Sequence, residues 1–317
     1  MTWLTWRLHR NEVIAGLLLL AGFLAVIGYG VRGVQESWQA VVSGGCVGSQ
    51  MPADCTRLLT EHHQLQFDWN RLSALLHAIP IVIAAIVALP TLFELERGTV
   101  RLAWTQSVTR RSWIIWRLAF ALVVTLVVSA VWAVAAAEWR EHIFGTRSES
   151  FSLQAYALSP IVLIAYGVFA LALVLAIGGT IRKAIPAIVL MALLFAGAQF
   201  LMATEIREHF AAPVEEISAE GERSDASASG WQIDWSWIDG EGARLTWDEV
   251  YEICPIRQST TEEQRLSCMD ENEIRYYVAY HPTERFMRFQ ITEAVLYLVV
   301  SAVLLGYFAW RLLRRPA

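Results

Sequence analysis

Signatures of catalysis and nucleotide binding are missing from this 317-residue chain. No glycine-rich loop ends in Lys-Ser or Lys-Thr, so ATP is not cradled on backbone amides in the Walker manner. No His-Glu-x-x-His helix offers a zinc site, and no Gly-x-Ser-x-Gly elbow presents a serine nucleophile. The long apolar runs lack the paired carboxylates of a proton-driven pump; the acids within or near them are few, chiefly Glu293. No repeat recurs at a solenoid period. Catalytic residues, a metal site, a cofactor and a nucleic-acid partner are therefore not expected. Cysteine is scarce: Cys46, Cys55, Cys254 and Cys268 are the four present, and none falls in an apolar run.

Apolar residues are abundant, at 56% of the chain. Crossing a bilayer core takes about 20 consecutive apolar residues, which must be helical because lipid offers no hydrogen-bond partners to the backbone. Six such runs occur, approximately Val13–Val31, Ala74–Phe93, Leu118–Ala137, Leu158–Gly178, Ile185–Ala203 and Ile291–Trp310. Arg7 and Arg10 precede the first run, but it is too long for a signal-peptide core and no clean small-x-small cleavage site follows, so it reads as a retained span. The expected fold is an all-α polytopic membrane protein with six transmembrane helices and a small extracytoplasmic domain between the fifth and sixth. Residues 1–12, with Trp3 and Trp6, read either as a cytoplasmic interfacial helix or as a simple anchor. Residues 13–203 hold five spans and an inner segment at 94–116. Residues 204–288 form the acidic outer domain, and 289–317 the last span with a basic tail.

Basic residues fix the expected orientation, because Lys and Arg accumulate in cytoplasmic loops. Arg7 and Arg10, then Arg97, Arg101, Arg110, Arg111 and Arg117, then Arg182 and Lys183, then Arg311, Arg314 and Arg315 fall on one side, opposed there only by Glu12, Glu94 and Glu96. Both termini are accordingly placed in the cytoplasm. All four cysteines then lie outside, where disulfides persist. Four cysteines allow three pairings. Cys46–Cys55 and Cys254–Cys268 are favoured because short loops close most readily, and a metal site with His62 and His63 matches no zinc spacing. Cys55–Leu76 has helical spacing of leucines and leads towards the second span, in which Pro80 and Pro90 lie. Gly178, Gly179, Arg182 and Lys183 read as a tight inner turn. Ala211–Gly230, rich in Glu, Ser, Ala and Gly, reads as flexible, and the rest of the outer domain as a small, disulfide-stapled α/β fold.

The inner segment reads Phe93-Glu-Leu-Glu-Arg-Gly-Thr, then Leu102-Ala-Trp-Thr-Gln-Ser-Val-Thr-Arg-Arg-Ser-Trp113. It resembles the first cytoplasmic loop of ABC-transporter permeases of the type-2 exporter class, in particular the actinobacterial branch. A second stretch, Tyr280-His-Pro-Thr-Glu-Arg-Phe-Met-Arg-Phe-Gln-Ile-Thr-Glu293, resembles that branch's Tyr-Gln-Pro-x-x-Arg-Phe-Trp-x-Phe-Gln-x-x-Glu, with His281 for the usual Gln and Met287 for the usual Trp. The resemblance implies a non-catalytic permease that exports an amphipathic lipid, peptide or drug, driven by a separate cytoplasmic ABC ATPase and paired with a second permease copy or a related permease. Its ATPase-coupling residues would be Glu94, Glu96, Gly98, Thr99, Leu102, Trp104, Arg110 and Arg111, with the arginines facing either the ATPase or anionic membrane lipids. Gln290 and Glu293 would form a helix clasp or line the path, the carboxylate seeking Arg285, Arg288 or a hydroxyl across a helix interface. Phe286, Phe289 and Tyr280 read as an interfacial aromatic belt, and His77 and Gln199 as helix–helix hydrogen bonds. The rival reading is a membrane-anchored sensor or assembly factor that acts through its outer domain.

Overall fold

The computed structural model describes residues 2–47, 52, 55–100, 109–144, 151, 153–219, 224–255 and 261–314. The chain divides into two compact units. The first comprises Met1–Gly145, Leu153–Ala203 and Gln290–Ala317, the second Thr146–Ser152 and Thr204–Phe289.

Helices build the first unit: α1 (Thr2–Ser43), α2 (Cys55–Leu76), α3 (Ile79–Glu96), α4 (Arg110–Phe144), α5 (Leu153–Ala157), α6 (Pro160–Ile181), α7 (Ala184–Leu201) and, from Gln290 onward, α11 (Phe286–Arg314). Among the described residues, α3, α4, α6, α7 and α11 are long and apolar enough to cross a membrane. The remaining expected span, Val13–Val31, falls in α1, where many side chains lie outside the described residues. Helix α1 runs unbroken for 42 residues, about 63 Å at 1.5 Å per residue, so residues 2–12 are its first turns rather than a separate helix. Helix α2 stops before α3 at a turn through His77 and Ala78, and Pro80 sits in the first turn of α3, where its missing N–H costs nothing. Pro90 sits in the interior of that helix, so both prolines fall within the span as expected.

Helix α6 is central. Sixteen of its twenty-two residues are buried, and it packs on α3, α4 and α7. Small residues allow the close approach. A Cβ on Gly167 would lie 2.2 Å from Ser129 Oγ of α4, one on Gly178 would lie 2.1 Å from Leu92 Cδ2 of α3, and one on Gly179 would lie 2.7 Å from Phe308 Cδ2 of α11. Gly178 and Gly179 are thus packing positions within the helix; the turn into α7 is made by Arg182 and Lys183 alone. Away from that turn, α1, α2 and α4 share an apolar core that includes Ile27, Val34, Leu76, Trp132 and Trp139. Trp139 Nε1 donates to Ser73 Oγ at 2.9 Å, Gln66 Nε2 donates to the His142 carbonyl at 3.2 Å, and Cys46–Cys55 ties α1 to α2 with an S–S distance of 2.00 Å.

The second unit is the mixed α/β fold expected of the stretch before the last span, so the all-α description holds for the first unit alone. It contains β1 (Val214–Ser218), α8 (Asp225–Ser229), β2 (Trp231–Ile238), β3 (Arg244–Leu245), α9 (Trp247–Ile253), α10 (Glu262–Glu271) and β4 (Arg275–His281). The strands form an antiparallel sheet in the order β1-β4-β2-β3, with an irregularity in β2 between Gln232 and Asp234. Strand alternation turns Trp237, Tyr276, Val278 and Tyr280 onto one face, where they pack with Val250, Cys254 and Met269. Capping boxes at Thr246/Glu249 and Thr261/Gln264 start α9 and α10, and Cys254–Cys268 joins them at 2.01 Å. The stretch expected to be flexible contains β1 and α8. Glu216 of β1 accepts from the backbone N–H and hydroxyl of Ser224 at 2.9 and 2.6 Å, which anchors the N-terminus of α8 and holds that carboxyl below its usual pKa.

Candidate functional site

Two helix ends frame the inner segment. Helix α3 terminates at Glu96; Gly98 follows with φ +68°, a left-handed conformation that glycine adopts without a side-chain clash. Helix α4 begins after Thr109, whose hydroxyl accepts the Ser112 N–H at 3.2 Å as an N-cap. The Ser-Val-Thr-Arg element therefore has a local reason: threonine caps, and Arg110 and Arg111 occupy the first turn. Two cations at the positive end of a helix are disfavoured by the macrodipole, by about 0.3–1 kcal/mol each. Arg111 is exposed and Arg110 half-buried. Leu102 and Trp104 lie outside the described residues.

Glu94 and Glu96 are already engaged. Glu94 forms an ion pair with Arg117 of α4, both side chains being mostly buried. Glu96 Oε2 accepts the Ala184 N–H at 2.9 Å and so caps the first turn of α7 from a distance of 88 residues in sequence. The Thr99 hydroxyl reaches back to the Glu94 carbonyl at 3.4 Å. Arg311 of α11 donates through Nε to the Gly179 carbonyl at 3.1 Å, neutralising the negative end of α6. One end of the bundle thus gathers the end of α3, the starts of α4 and α7, the end of α6 and the end of α11. A carboxylate bridging two helices is invisible to local sequence patterns; the only signal was an acid in an otherwise basic segment.

Glu293, fully buried in α11, accepts a hydrogen bond from the Tyr166 hydroxyl of α6. A hydroxyl across a helix interface is among the donors expected for it. Tyr166 is packed edge-on by Phe195 and Tyr297, and Tyr297 donates to the Ala198 carbonyl of α7 at 3.2 Å. Gln290 is buried one turn earlier. His77 contacts the Ser73 carbonyl at 2.6 Å, and the buried Gln199 Nε2 meets no acceptor among the described residues, contrary to the helix–helix bond expected of it.

The Tyr280–Phe289 part of the second motif lies in the second unit and makes an elbow out of β4. His281, fully buried, contacts the Glu208 carbonyl through Nε2 at 3.0 Å and Arg285 NH1 through Nδ1 at 3.3 Å. With arginine donating to Nδ1, Nε2 carries the proton, the same acceptor–donor pair that a glutamine amide offers. Burial pushes the His281 imidazole below its usual pKa; the Glu208 carbonyl opposes this and the Arg285 charge adds to it. Arg285 also donates to the Ala212 carbonyl at 2.6 Å. Phe289 and Tyr280 are buried, and Phe289 packs with Phe151, Phe210 and His281, so these aromatics are core rather than an interfacial belt.

Long apolar helices around one buried helix, with intramembrane polar groups paired across helix interfaces, define a multi-pass helical membrane protein. The family model described as ABC-2 membrane transporter related matches residues 14–207, and the chain belongs to that family. It is accordingly a membrane-embedded transporter permease. No curated protein and no solved structure matches it.

Proposed function

We propose that the chain is the permease subunit of an ATP-driven exporter, coupled through residues 94–116 to a separate cytoplasmic ABC ATPase. The observation that carries this reading is the capped start of α4, where Arg110 and Arg111 sit against the local helix dipole on a segment held to the rest of the bundle. The Glu94–Arg117 and Glu96–Ala184 contacts would carry a push on the segment into α4 and α7. In this reading α1 is the first of six spans, the basic inner loops put both termini in the bacterial cytoplasm, and a second permease copy or a related permease would complete the path. The second unit then lies outside the cell, where its disulfide persists. An amphipathic lipid, peptide or drug fits the aliphatic and aromatic surface of the spans. Tyr166–Glu293 is the clasp that keeps α11 against α6.

The rival, a sensor or assembly factor, is favoured by the independent core of the second unit. Co-purification with candidate ATPases from the same genome separates the two. An ATPase that accompanies the wild type and is lost from membrane-inserted Trp104→Asp and Arg110→Ala/Arg111→Ala variants supports the permease. Its failure to associate in any mild detergent or lipid condition favours the sensor.

A further inference from the structure

The second unit carries an aromatic corner that its own core does not consume. Trp235 of β2 and Trp247 at the start of α9 remain 46% and 54% exposed. Their rings stand 6.2 Å apart at 67°, an open edge-to-face pair. Behind them, buried Tyr276 stacks on Trp235 at 6.1 Å, and buried Trp237 meets Trp247 at 5.8 Å. The Trp237 indole N–H has no acceptor among the described residues. Tyr251, one turn after Trp247 on α9, is 52% exposed. Asp248 and Glu252 alternate with these rings along the same helix, and both are exposed. Between Thr204 and Phe289 the chain has nineteen acidic residues against eight arginines and no lysine.

We infer that this corner binds organic cations, in which an ammonium or guanidinium is carried on an apolar body. Indole faces present negative potential and attract cations, more strongly where water is displaced. The surrounding acids raise the local cation concentration and repel anions. That charge argues against docking on an anionic lipid surface, which exposed tryptophans alone would otherwise suit. The inference bears on export only through the permease reading; binding itself is independent of it.

Full-length protein in nanodiscs of zwitterionic lipid is titrated with benzyltrimethylammonium, with benzyl alcohol and benzenesulfonate as neutral and anionic controls. Saturable binding of the cation alone is expected, weakened about five- to tenfold in Trp235→Ala and Trp247→Ala, the scale of a lost cation–π contact. Asp248→Asn/Glu252→Gln should weaken it by a smaller factor with every ring in place, and this variant decides the matter if the tryptophan variants lose their fold. Ile217→Ser, on the opposite sheet face, should bind as wild type does. Absent binding, equal binding of benzenesulfonate or benzyl alcohol, or undiminished affinity in folded tryptophan variants would overturn the inference. ATPase co-purification reads the permease assignment separately, so either idea can fail alone.

Discussion

Helices α6 and α7 are neighbours in the chain, drawn from the same set of Ala, Leu, Ile, Val and Phe, and they end up in opposite surroundings. In α6, sixteen of twenty-two residues are buried; in α7, four of eighteen are, namely Ala184, Ala187, Met191 and Phe195. Ile185, Leu193 and Phe200 of α7 are at least 66% exposed, a surface that lipid covers at no cost and water would not. The difference lies less in hydrophobicity than in where small residues fall. Gly167, Gly178 and Gly179 of α6 each receive a side chain from another helix, whereas Gly197 of α7 has nothing within 4 Å of its would-be Cβ. Without a hydrophobic driving force between helices in lipid, such close approach is what assembles the bundle.

The largest expected effect breaks this contrast directly. Gly178→Leu forces a side chain into Leu92 and should cost about 1–3 kcal/mol or more. Gly197→Leu on the exposed face should stay within about 0.5 kcal/mol of wild type. Thermal unfolding followed by size-exclusion chromatography in one detergent reads both. Equal loss in the two variants would mean that α6 is not the packing centre.

The smaller effect sharpens the contrast between the membrane helices and the second unit, where buried polar contacts at the end of β4 help fix the geometry. The His281 imidazole is held below its usual pKa by burial first, with Arg285 acting in the same sense and the Glu208 carbonyl opposing. As pH falls, the unfolded chain therefore takes up a proton before the folded one does. The stability tied to His281 is complete above the unfolded value of about 6.5 and is lost as pH drops from there towards the lowered native value. His281→Gln retains an acceptor and a donor but cannot titrate. Its midpoint should fall less than the wild type's between about pH 7.5 and pH 5.5, and an unchanged difference would remove His281 from the account.

Much of the membrane unit was legible because apolar length is a local property: the runs ending near Phe93, Ala137, Gly178, Ala203 and Trp310 correspond to α3, α4, α6, α7 and α11. The stop at Gly98 and the two short cysteine loops were legible for the same reason. What was hidden depends on partners far along the chain. Tyr166 and Glu293 are separated by 127 residues, and Glu96 and Ala184 by 88. Strand β1 offers only Val214 and Ile217 as apolar residues and forms because β4 supplies its register. The break between α2 and α3 at His77 and Ala78 was hidden because it falls within a continuous apolar run.

The central claim is that the inner segment meets an ATPase, and site-directed crosslinking tests it most directly. A photo-crosslinking residue replaces Arg111 in one variant and Val189, on the exposed face of α7, in another. Both are irradiated in membranes containing the co-expressed candidate ATPase. The account predicts an adduct of permease and ATPase from position 111 and none from position 189. An adduct from neither position, with the ATPase present and folded, would contradict it.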